Sequence, residues 1–157
     1  MSDWLLYAGI FLATFLGMEG VAWATHKYLV HGWLWVLHES HHRERRGRFE
    51  LNDLFGVFFA AISMVLIYFG VNGTPALLFV GLGITAYGLM YFLVNDVLVH
   101  HRIAHVFVPR SGYLRRIYQA HRLHHSLEAR DGAISFGFLY APPPEKLAAE
   151  LKAGQDA

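Results

Sequence analysis

Three stretches of this chain are each apolar enough to cross a bilayer, which takes about 20 residues of helix, and nothing constrains its fold more. Trp4 to Ala24 carries one charge, Glu19, while Leu54 to Val71 and Pro75 to Val94 carry none. Lipid offers backbone groups no partners, so such stretches must be helical. Only Asn72-Gly73-Thr74 separates the second from the third, and Pro75 suits a helix start. These two helices are therefore expected to be antiparallel neighbours, with Gly81, Gly83 and Gly88 allowing close contacts. The expected fold class is an all-α integral membrane protein with about three transmembrane helices, and with helices at one membrane face that carry a histidine-rich site. A length of 157 residues suits one domain. It divides into a membrane-embedded part, 1–141, and a short exposed C-terminal tail, 142–157, opened by Pro142-Pro143-Pro144 and holding a short charged helix from Glu145 to Lys152.

The histidines are the second constraint. All eleven fall between His26 and His42 or between His100 and His125. His-x-x-His-His occurs in both stretches, as HESHH at His38, His41 and His42 and as HRLHH at His121, His124 and His125. Offsets of three and four residues put three imidazoles on one helix face. With His26 and His31 ahead of the first triad and His100, His101 and His105 ahead of the second, the pattern predicts a site for two metal ions. An amphipathic interfacial helix with solvated histidines would explain one triad, but not two of the same spacing. There is no cysteine, so disulfides, thiolate zinc sites and cysteine-bound iron–sulfur clusters are excluded. Nitrogen and oxygen ligands suit iron, zinc, copper or nickel alike.

Individual positions carry sharper expectations. His26 and His31 are five residues apart, which does not place them on one face of a straight helix. The spacing works if the helix ends between them, with Gly32 as terminator. Glu19 either pairs with an inward-facing donor or supports a ligand histidine from behind. Asp96 is expected to orient His100, the preferred ligand of its stretch, through the free ring nitrogen. His101 and His105 share a different face and are secondary candidates. Arg115, Arg116 and Arg122 should lie on the polar side of an amphipathic helix ending in the second triad.

Three crossings with a hairpin between the last two bring both histidine stretches to the same membrane face. All thirteen Lys and Arg residues lie on that face too. The positive-inside rule then puts the histidines in the cytoplasm and the N-terminus outside, in the plasma (inner) membrane. A cleaved leader is the other reading of the first stretch. The lack of a basic start, Asp3 and the length of the stretch argue against it.

With these motifs placed, the chain resembles the bacterial β-carotene hydroxylases, within the wider group of membrane fatty-acid hydroxylases. GMEGVAWATHKYLVHGWLWVLHESHH, ELNDLFGVFFAAIS, GLGITAYGLMYFLVNDVLVHHR, PRSGYLRRIYQAHRLHH and SFGFLYAPP carry the resemblance. It implies a non-haem di-iron centre that uses O2 to hydroxylate C3 of a β-ionone ring, taking β-carotene through cryptoxanthin to zeaxanthin. Electrons would come from a ferredoxin-type carrier, since the chain has no flavin or nicotinamide motif. The basic residues Arg43, Arg45, Arg46, Arg48, Arg115 and Arg116 would suit such a donor, or else anionic lipid headgroups. Phe138 and Tyr140, in the SFGFLYAPP block, are candidate substrate contacts. One departure stands out. Where the family usually reads HDGLVH, this chain has Asn95 for the first histidine and Val97 for the glycine. The amide can ligate metal, or hold a metal-bound water, or leave the site weakened.

Three other readings stay open on sequence alone. One is a di-metal oxygenase acting on a fatty acyl chain, a sterol or a keto-carotenoid. Another is a non-catalytic metal or haem binder, and the last a homologue whose metal binding Asn95 has weakened.

Overall fold

The structure, a computed structural model, describes residues 3–43, 47 and 49–155, and among these there is helix and loop but no strand. Three helices are long and apolar enough to cross a membrane. The first, α1 (Asp3–Ala24), continues without a break into a π-helical segment, Thr25–Trp33. Two short turns follow, α2 (Trp35–His38) and a 3-10 turn (Glu39–His42). The hairpin helices are α3 (Asp53–Val71) and α4 (Pro75–Tyr91), and α4 runs on into a second π segment, Phe92–Val99. Two further helices, α5 (Gly112–His124) and α6 (Pro144–Gln155), complete the chain.

Helix α4 is the centre of the membrane half, packed against α3 on one side and α1 on the other. Small residues let the backbones approach. A Cβ on Gly81 would lie 2.9 Å from the Ser63 carbonyl oxygen, and one on Gly83 would lie 3.0 Å from that of Phe11. The expected third glycine contact is absent: Gly88 faces open space, and Gly70, against Leu78, makes the close approach instead. Ser63 Oγ donates to the Gly81 carbonyl at 2.8 Å and lies 2.6 Å from Thr85 Oγ1, tying α3 to α4 inside lipid. The remaining faces of these helices carry exposed Leu, Phe, Val and Trp side chains, as a bilayer requires.

The other half of the molecule is built differently. A second apolar cluster of Val94, Ile117, Ala120, Ala141 and Leu147 holds α5 and α6 against the end of α4. The C-terminal segment forms the expected helix, with Glu145, Lys146 and Glu150 exposed. It does not stand free, because Leu147 is 1% exposed and part of this cluster. Arg115 and Arg122 of α5 face outward as its periodicity requires, whereas Arg116 is half-buried and donates through Nε to the Ala141 carbonyl at 2.6 Å. Arg45, Arg46 and Arg48 lie outside the described residues.

Candidate metal centre

Nine of the eleven histidines converge at the end of the bundle, in two groups drawn from both halves of the sequence. His26, His31, His38, His42 and His124 form one, and His41, His100, His121 and His125 the other. Within each group the candidate ligand nitrogens all lie within 4.8 Å of one another. Each His-x-x-His-His triad is thereby split. The first and third histidines, four residues apart, differ by about 40° around a helix and stay together. The middle histidine points to the other side, so His124 joins the group of the first triad and His41 that of the second.

His26 and His31 reach the same group by a route the straight-helix argument excluded. The helix does not end between them. It widens, and Leu34 N bonds to Leu29 O at 2.9 Å, five residues back. A π-helical turn takes up the extra residue, so a five-residue spacing becomes one turn. Gly32, with φ −102° and ψ −125°, then breaks the path. The second π segment does the same, with His100 N bonded to Asn95 O at 3.0 Å.

Hydrogen bonds fix which nitrogen faces inward. In the five-histidine group, every Nδ1 meets an oxygen. His26 donates to Phe136 O at 3.0 Å, His31 to Arg130 O at 2.9 Å, His42 to Leu127 O at 2.9 Å and His124 to Ile134 O at 2.8 Å. His38 donates to Asn52 Oδ1 at 2.7 Å. A carbonyl oxygen only accepts, so Nδ1 carries the proton and Nε2 presents a lone pair. Yet His38 Nε2 lies 3.2 Å from both His26 Nε2 and His42 Nε2. No hydrogen is left to bridge those nitrogens. Lone pairs gathered in this way fit a cation between them, since neighbouring ligands on one ion at about 2.1 Å are about 3 Å apart. Burial keeps the rings neutral: it pushes His38 down to about 3 and His42 to about 4, and holds His124 well below the usual imidazole range. The buried Nε2 atoms of His31 and His124 have no partner of their own.

The four-histidine group is similar, with one chemical difference. His41 donates through Nδ1 to the Glu50 carboxylate at 2.8 Å, and both side chains are buried. His100 Nε2 and His121 Nε2 approach to 3.1 Å, and His125 Nε2 is buried without a partner. Burial lowers His41, His121 and His125 as well. Arg102 sits behind Glu50, 3.8 Å from it, and binds Asp53 Oδ1 at 2.5 Å and Asp96 Oδ1 at 2.8 Å.

Glu19, Asp96, Phe138, Tyr140, His101 and His105 lie outside the two groups. Glu19 touches no histidine. Its carboxylate accepts from the backbone N–H groups of Phe138, Leu139 and Tyr140 and from Tyr87 Oη at 2.7 Å, the inward-facing donors that a charge in a span needs. Gly137 permits this, because a Cβ there would lie 2.5 Å from Tyr140 O and 2.8 Å from Glu19 Oε1. The loop so held puts Phe138 flat on His26, ring centroids 5.2 Å apart, and 5.9 Å from His121. Tyr140 faces outward, beneath Arg116. Asp96 pairs with Arg102. His101 and His105 lie outside both groups: the chain leaves the helix there, His101 at φ 50°, and the two rings stack on each other at 4.4 Å. Glu50, Asn52 and Arg102 were not singled out from the sequence, although ELNDLF contains an acid and an amide just after the first triad.

Comparison with known proteins agrees with this architecture. The fatty acid hydroxylase family model matches residues 11–141. The chain belongs to that family. Among its curated relatives, a protein named β-carotene hydroxylase from Pantoea ananas is 52% identical over 95% of this chain and 85% of its own length. Another of that name, from Paracoccus sp. (strain PC1), is 49% identical over 91% of this chain and 89% of its own. A chloroplastic β-carotene hydroxylase 1 from Capsicum annuum is 43% identical over 81% of this chain, which spans 41% of the plant protein. No solved structure matches this member of the fatty acid hydroxylases.

Proposed function

We propose that this fatty acid hydroxylase is a carotenoid β-ring 3-hydroxylase that takes β-carotene through cryptoxanthin to zeaxanthin, with one iron ion in each histidine group. One observation carries the reading: the two nests of inward-facing imidazoles occur in a chain half identical, over most of its length, to proteins named β-carotene hydroxylase. Bound iron would supply the O2 activation that an unactivated C–H bond demands. The chain's own part is to hold the inward-facing lone pairs, six of them through acceptors behind the rings, and to keep bulk water out by burying seven of the nine histidines and half-burying His100 and His125. Phe138, between His26 and His121, gives the site an apolar wall suited to a hydrocarbon ring arriving from the bilayer. Keto-carotenoids with the same ring end fit the same wall.

Electrons are proposed to come from a ferredoxin-type protein, with the exposed Arg43 and Arg115 available to an acidic partner. The centre is proposed to lie on the cytoplasmic face of the inner membrane, with the N-terminus outside, a reading supported by the lysines and arginines that flank the histidine stretches. The test is expression in a bacterium that accumulates β-carotene, with pigments separated and identified by mass. Cryptoxanthin and zeaxanthin from wild type, and unchanged β-carotene from an equally expressed His121→Ala variant, are expected. Unchanged β-carotene from well-expressed wild type would overturn the substrate assignment.

A further inference from the structure

We infer that Asn95 is the fifth donor of the four-histidine group, through Oδ1, so that the two ions sit in unlike sets. One set is five imidazoles; the other is four imidazoles and an amide oxygen. The inference rests on reading the two groups as metal sites, and three observations carry it.

The first is an internal correspondence. HKYLVH followed by HESHH and NDVLVH followed by HRLHH have the same internal spacing. Position by position, His26 answers to Asn95, His31 to His100, His38 to His121 and His42 to His125, while the middle histidines His41 and His124 exchange groups. Each member of the five-histidine group then has a counterpart in the other, except His26. The place that answers to His26 is held by Asn95.

The second is the backbone. Both leading pairs lie on π segments closed by hydrogen bonds five residues back, Leu34 N to Leu29 O and His100 N to Asn95 O. A five-residue spacing is about one turn of such a helix. Asn95 therefore shares a face with His100, just as His26 shares one with His31.

The third is the amide itself. Asn95 is 1% exposed. Its Nδ2 donates to Tyr91 Oη at 3.1 Å, and its Oδ1 is buried with no partner. Buried polar atoms without partners are rare. Of the five others among the described residues, His31 Nε2, His124 Nε2 and His125 Nε2 lie inside the two groups, and His105 Nδ1 and Ser135 Oγ outside them. A neutral amide oxygen is a weaker and harder donor than imidazole, so this ion is the more loosely held of the two.

The experiment titrates metal-free protein in detergent with Co(II) against a chelator of known affinity and records the visible spectrum. Wild type is expected to fill in two steps. Asn95→His should raise the weaker step by about tenfold or more and change the spectrum of that ion alone, while Asn95→Ala should weaken the same step by a similar factor. His124→Ala and His125→Ala, each removing one ion, identify the steps. Unchanged affinities and spectrum in Asn95→His would overturn the inference, and that variant decides alone if Asn95→Ala does not fold. If neither histidine variant removes an ion, the metal reading fails with it. If both do and the Asn95 variants match wild type, only the role of Asn95 falls.

Discussion

The two histidine groups stand side by side and share their triads, but one is buried throughout while His100 and His125 of the other are half-buried, and different chemistry backs them. Every ring of the five-histidine group leans on a neutral acceptor: four backbone carbonyls and the Asn52 amide. The four-histidine group places a carboxylate, Glu50, behind His41, and Arg102 behind Glu50. A carboxylate makes the imidazole it holds a stronger donor, whereas a carbonyl mainly sets orientation. The comparison teaches that nine chemically identical side chains need not make two identical sites. Their second partners decide.

The coarsest way to break this comparison is to remove one ligand from each group. His124→Ala and His125→Ala are expected to lower metal content by one ion each, from different groups, and to reduce pigment hydroxylation by more than about a hundredfold. Metal analysis beside pigment chromatography checks both, and loss of two ions from either variant would mean the groups are one site. Next in size is Glu50→Gln, which keeps an acceptor but drops the charge behind His41. Affinity should fall about 10–100-fold at the four-histidine group and hold at the other, as read from a metal titration. An equal fall at both groups would show that Glu50 supports the fold rather than one ligand. Asn52→Ala is the mirror experiment. It removes the His38 acceptor, and a fall of about tenfold confined to the five-histidine group is expected in the same titration. The smallest effect concerns the loop that both groups touch through Phe138. Glu19→Gln turns an amide towards backbone N–H groups that now meet a carboxylate. It should cost about 1–3 kcal/mol, a few degrees in thermal unfolding, with two ions still bound. An unchanged unfolding temperature would show that the Glu19 contacts do not hold the loop.

The spans, the hairpin and the meeting of both histidine stretches were legible because each depends on local pattern. A run of uncharged residues, a three-residue link and a topological count suffice. Three things were not legible. At Thr25–Trp33 a spacing of five suggests a helix end, because it suits a straight helix poorly, and only the hydrogen bonds reveal the π turn. A glycine in a span suggests packing at Gly88, but a small residue serves only where another backbone comes near, and none does. The sequence does not choose between the two duties open to Glu19, because the amides it binds lie in residues 138–140, far along the chain.

By itself the sequence determined that this is a membrane helical protein with two histidine stretches at one end, because hydropathy and residue spacing are properties of neighbours along the chain. Only the tertiary structure decided how the triads divide, with His41 and His124 exchanged, and what stands behind each ring. Most of those acceptors are main-chain carbonyls, of Phe136, Arg130, Leu127 and Ile134. A carbonyl is common to every residue and leaves no mark in a sequence. Its role comes only from where the fold carries it.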